Sequence, residues 1–113
     1  MLTLMAFYVC AGLLLSALSV PLMKGLVKPN YWYGFRVRQT LADPIVWYAA
    51  NAYSGRRLFW VGIVTSSTAQ VLFFVPGIEV DSYATACAVV ALSSLAVTVF
   101  LSFRYLNSIA PGR

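Results

Sequence analysis

The sequence has no histidine, three acidic residues and two cysteines. Each scarcity excludes something. Asp43, Glu79 and Asp81 are split between distant segments, so they and Cys10 and Cys87 cannot supply the four-ligand cluster that a zinc-type site needs. No metal and no other cofactor is expected. The same shortage removes the usual general base, and the serines and threonines of the apolar runs have no titratable neighbour in sequence reach. An enzyme is therefore not expected. Charge of either sign is also sparse, at 10% of residues against about 25% in ordinary soluble domains.

Apolar side chains fill the gap, at 61% of 113 residues. A soluble chain of this length needs polar residues for its outside, whereas lipid accepts apolar side chains on every face of a helix. Leu2 to Met23, Leu58 to Ile78 and Ser82 to Phe103 carry no charged side chain. At 1.5 Å per residue each is long enough to cross a hydrocarbon core of about 30 Å. The expected fold is an all-α membrane protein with three transmembrane helices, at 2–23, 58–78 and 82–103. The acid-bearing stretch after Pro76-Gly77, centred on 79–81, reads as a tight turn between the last two.

The net charge of +5 is distributed unevenly. No base precedes the first apolar run, so a retained helix is expected there and not a cleaved signal peptide. Lys24, Lys28, Arg36, Arg38, Arg56 and Arg57 lie in the loop 24–57, and Arg104 and Arg113 lie in the tail 104–113. The acidic turn has no base. The positive-inside rule predicts an N-terminus outside the plasma membrane, with the long loop and C-terminus cytoplasmic. Bases gathered between apolar runs predict contact with anionic lipid headgroups and no nucleic-acid partner.

The long loop also holds Tyr31, Trp32, Tyr33, Phe35, Trp47, Tyr48 and Tyr53, rings of a kind that gather at headgroup level. Asp43 reads as an N-cap and Pro44 as the first helical residue, which predicts an amphipathic interfacial helix at about 44–54. On it Trp47, Asn51 and Ser54 share one stripe, while Ile45, Tyr48, Ala49 and Ala52 share another; Gly55 offers a stop or bend.

Candidate ligand- or partner-binding residues are Asn30, Arg36, Arg38, Thr40, Trp47 and Asn51. If Phe35 to Gln39 is extended, Arg36 and Arg38 point to the same side and form a fork suited to phosphate or carboxylate. Asn30 and Gly34 would provide the turn geometry. The competing reading has the arginines anchoring the loop, and for them both readings stand. For Asn30, Thr40 and Asn51 the satisfaction of caps and backbone groups is the simpler role. Gln70, the strongly polar side chain within the apolar runs, is expected to face another helix as a packing residue. Gly12 with Ser16, Gly62 with Ser66, and Ala84 with Ala88 are spaced for close helix approach. Cys10 and Cys87 lie at similar depth, which permits a disulfide, although small packing residues are the preferred reading.

Pro29-Asn30, Gly34-Phe35-Arg36, Thr40-Leu41-Ala42-Asp43, Trp47, Asn51 and Gly55, set between the first two of three apolar runs, resemble the loop of the SdpI-like family of bacterial membrane proteins. Pro44 is a departure from that pattern. The resemblance implies a multipass bacterial protein whose best-known relative protects its producer from a secreted membrane-active toxin peptide. That relative also relays the toxin's presence to a soluble repressor at the cytoplasmic face. The implied function is immunity without catalysis, with a toxin peptide and a cytoplasmic regulator as partners. Two alternatives are a lipid-phosphate-binding or transport subunit using Arg36 and Arg38, and an accessory subunit of a larger membrane complex. Three thin helices bury little surface among themselves, so self-association or a membrane partner is expected.

Overall fold

The computed structural model describes residues 1–110; Arg113, counted above among the inner bases, lies outside the described residues. The first apolar run is helix α1, Leu2–Met23. It ends because Gly25 takes a left-handed φ of +70°. Its N–H donates to the Leu22 carbonyl at 3.3 Å, and the Leu26 N–H donates to the Pro21 carbonyl at 2.9 Å. This paired closure satisfies carbonyls that the helix end would leave bare. A short helix α2, Arg38–Ala42, follows, and then two long ones, α3 at Pro44–Phe73 and α4 at Val80–Ile109. The described residues contain no strand.

Asp43 caps α3 as its sequence suggests: its carboxylate accepts from the Ile45 N–H at 2.9 Å, with Pro44 in the first turn. The expected boundary at Gly55 is absent. Residues 44–54 are the first three turns of one continuous 30-residue helix and do not form a separate interfacial helix. The reason lies in α1. A Cβ on Gly55 would stand 2.9 Å from the Met23 nitrogen and 3.1 Å from the Ser19 carbonyl oxygen. The glycine is a place of close approach, not a stop.

The same device recurs along the α1–α3 seam. A Cβ on Gly12 would lie 2.6 Å from the Gly62 carbonyl oxygen, and one on Gly62 would run into the Gly12 carbonyl and the Ser16 hydroxyl. Ser16 Oγ donates across the seam to the Phe59 carbonyl at 2.7 Å. The helices are antiparallel, since Gly12 meets Gly62 while Met23 meets Gly55. On its other side α3 packs antiparallel against α4. The Tyr83 hydroxyl donates to the Ala69 carbonyl at 2.6 Å near one end, and Leu106 packs with Val46 and Ala50 at the other. Helix α3 ends at Phe73, short of the expected residue 78. The turn to α4 runs through Gly77 with φ +77°.

Helices α1 and α4 are each long and apolar enough to cross a membrane. Leu13, Leu14 and Leu18 on α1, and Leu92, Val99 and Phe100 on α4, are exposed. A helix in the core of a soluble protein would bury them. Helix α3 lies between the two and also exposes Trp60, Val64 and Val71. Since α1 stops level with Gly55, the first three turns of α3 and the last turns of α4 continue past it. The loop 24–43 folds into the space beneath α1.

Candidate functional site: a pinned loop and two crevices

The loop is held by Asn51, fully buried on α3. Its Oδ1 accepts from the Phe35 N–H at 2.6 Å, and its Nδ2 donates to the Phe35 carbonyl at 3.4 Å and the Trp47 carbonyl at 2.9 Å. One amide thus pairs both backbone groups of a residue in a segment with no regular structure, which is how a buried loop avoids orphaned polar atoms. The approach requires Gly34. Its φ is +112°, and a Cβ there would stand 2.7 Å from Asn51 Oδ1 and 3.3 Å from the Trp47 ring. Trp47 has no exposed surface, and its Nε1–H donates to the Val27 carbonyl at 2.8 Å.

The other motif residues are engaged in the same way. Asn30 closes a turn: its Oδ1 accepts from the Trp32 and Tyr33 N–H groups at 2.8 and 2.7 Å, and its Nδ2 donates to the Lys28 carbonyl at 2.7 Å. Thr40, also buried, accepts from the Val37 N–H and donates to the Val37 carbonyl, both at 2.9 Å, and so caps α2. The Tyr33 hydroxyl donates to the Leu18 carbonyl, tying loop to α1, and burial pushes its pKa up. Phe35 meets Phe103 of α4 edge-on, with ring centroids 5.0 Å apart. Asn30, Thr40, Trp47 and Asn51 therefore form a loop-fastening set, each with its polar atoms on the backbone of a different part of the loop, and of these only Trp47 and Asn51 are shown in contact.

Arg36 and Arg38 are not an open fork. The Arg36 guanidinium turns back to the Tyr31 and Gly34 carbonyls. Arg38 begins α2, so the extended run on which the same-side expectation rested ends at Val37. Its side chain lines a small recess with Gln39, Asp43 and Ile109. Gln70 also departs from expectation. It is exposed, and its amide nitrogen, Nε2, donates to the carbonyl and hydroxyl of Ser66 in its own helix, at 3.3 Å each. It needs no second helix. Cys10 is exposed and Cys87 buried, both as free thiols.

Two crevices flank α3. One, of about 320 Å³, opens between α1, α3 and α4 under the loop, and is lined by Leu18, Leu22, Phe35, Leu58, Ser102 and Phe103 among others. The buried Ser102 hydroxyl has no hydrogen-bond partner among the described residues. The larger, of about 670 Å³, lies between α3 and α4 with Arg56 and Arg57 at one end and Trp60, Val64 and Val90 along its walls. Sequence reasoning assigned those two arginines only to topology. The signal was available in Tyr53, one helical turn before Arg57 and therefore beside it.

An all-helical architecture with lipid-compatible outer faces and a polar-stapled loop at one end defines a membrane protein. The chain belongs to the SdpI/YfhL protein family, whose family model matches residues 27–103, more than half of its length and the whole of the loop-fastening set. No curated protein and no solved structure matches it.

Proposed function

We propose that the protein is a non-enzymatic immunity-type protein of the bacterial plasma membrane that protects the envelope from a membrane-active peptide. In this reading α1, α3 and α4 all cross the bilayer, with the N-terminus outside and the loop and C-terminal end cytoplasmic. The observation that carries it is the family match over 27–103. Charge placement supports the orientation. Lys24, Lys28, Arg36, Arg38, Arg56, Arg57 and Arg104 fall toward the loop end, and Glu79 and Asp81 lie at the opposite turn.

The exposed apolar faces of α1 and α4 offer an amphipathic peptide a surface to lie against within lipid. The loop presents Trp32 and Tyr31, both exposed, to a cytoplasmic regulator while Asn51 holds its frame. The alternative of a lipid-phosphate fork at Arg36 and Arg38 is weakened by the occupation of Arg36. Expression in a toxin-sensitive strain tests the proposal: survival should rise for at least one secreted membrane-active peptide. Unchanged killing across a panel of such peptides would reject it. Native mass spectrometry in nanodiscs would reveal a self-associated or partnered form.

A further inference from the structure

The groove between α3 and α4 is lined by no residue of α1. Its inner end carries Arg56 and Arg57, both exposed. Arg57 is held in place, with Nε donating to the Tyr53 hydroxyl at 3.0 Å and the guanidinium 5.1 Å from that ring's centroid. Tyr53 in turn stacks on Tyr105 of α4 at 4.3 Å with an interplanar angle of 4°. Beyond the stack Arg104 lines an adjoining recess with Tyr53 and Tyr105. Three bases thus surround one rigid tyrosine pair.

Among the described residues no carboxylate is positioned to neutralise them. Asp43 is at the N-cap of α3, about 20 Å along the helix axis from Arg56, and Glu79 and Asp81 lie at the far turn. Above the arginines the walls are mainly apolar, with Trp60, Val61, Val64, Val90 and Val97, and with Ser93, Ser94 and Thr98 among them; the Ser93 and Ser94 hydroxyls donate to carbonyls of their own helix. From Arg56 to Val64 is about 12 Å of helix, close to the roughly 15 Å of one leaflet's hydrocarbon. Gly55 abuts Met23, where the charge-free α1 ends, so Arg56 and Arg57 sit at the inner headgroup level.

We propose that this groove is a binding site for an anionic phospholipid of the inner leaflet, its phosphate held by Arg56 and Arg57 and one acyl chain lying between α3 and α4. A guanidinium pair without a carboxylate favours a net anion over a zwitterion, whose own ammonium competes for the phosphate. The inference rests on α3 lying in the bilayer, as in the proposed topology.

The test uses the full chain carrying Trp32→Phe in phosphatidylcholine nanodiscs, with Trp60 as the reporter and the buried Trp47 as constant background. Phosphatidylglycerol or phosphatidylcholine with brominated chains is added as the quencher. Phosphatidylglycerol should quench at a mole fraction about 25-fold lower, since each of the two bases near an anionic lipid contributes about fivefold. Arg56→Gln with Arg57→Gln should abolish that preference, the corresponding double lysine variant should keep most of it, and Arg36→Gln with Arg38→Gln should leave it unchanged. Equal quenching by the two lipids, or a preference that survives the Arg56/Arg57 glutamine variant, overturns the site. Quenching by neither overturns the placement of α3 in lipid, and the site with it.

Discussion

At the scale of single residues, the loop depends on one amide more than on any charge. Truncation of Asn51 to alanine leaves the Phe35 N–H and carbonyl without partners. A buried group left unpaired costs about 1–3 kcal/mol, so Asn51→Ala should destabilise the protein by about 2–4 kcal/mol. Graded SDS unfolding would measure the loss, and limited proteolysis between Lys28 and Arg38 should accelerate in parallel. Ser102→Ala provides the opposite expectation on the same assay. Its hydroxyl is buried without a partner among the described residues, so removing it should leave stability unchanged or raise it slightly. A loss of more than about 1 kcal/mol on Ser102→Ala would mean that the hydroxyl is engaged. The spacing of Asn30, Gly34, Thr40, Trp47 and Asn51 was legible in the sequence, and so was the capping of α3 by Asp43. What Asn51 pairs with was not, because the answer depends on the left-handed turn at Gly34 that carries Phe35 to it. The arginine fork failed for a similar local reason: helix α2 begins at Arg38 and ends the alternation.

At the scale of the helices, packing without a hydrophobic drive in lipid depends on how closely backbones approach. The Gly12–Ser16 and Gly62–Ser66 spacings were readable as candidates for this, and the seam uses both pairs. Gly55 belongs to the same seam, at seven residues from Gly62, but in sequence it follows a polar stripe and precedes two arginines. Glycine's poor intrinsic helix propensity favours a stop there; the contact with Ser19 and Met23 overrides it. Gly62→Ala should therefore force α1 and α3 apart and cost about 1–3 kcal/mol in SDS unfolding. Gly77→Asn tests whether backbone crowding is the cause. Gly77, unlike the helical Gly62, has a positive φ of 77°, but a Cβ there would meet nothing within 4 Å, and asparagine tolerates that conformation. That variant should be close to neutral. Similar losses at both positions would show that glycine is needed for chain flexibility and not for helix approach.

At the scale of the whole molecule, the unequal lengths of the helices determine what faces water. Helix α1 has 22 residues while α3 and α4 have 30 each, and the molecule is 52 Å long, well beyond a hydrocarbon core of about 30 Å. The excess collects at the loop end, where Val46 and Ala50 pack on Leu106 with Phe35 and Val37 around them. That cluster gives the first turns of α3 a reason to project past the end of α1. An amphipathic helix lying in the interface would instead direct one apolar stripe to lipid, and Trp47, Ala50 and Asn51 are all buried against protein. Ile45, at the start of α3, is 79% exposed and distinguishes the two arrangements. In a Cys10→Ala background, Ile45→Cys should react with a membrane-impermeant maleimide in inverted vesicles and not in intact cells. Glu79→Cys should give the reverse pattern. Slow labelling of Ile45→Cys from both sides would return residues 44–54 to the membrane interface, and labelling of Ile45→Cys in intact cells would invert the topology on which the placement of Arg56 and Arg57 at the inner leaflet depends.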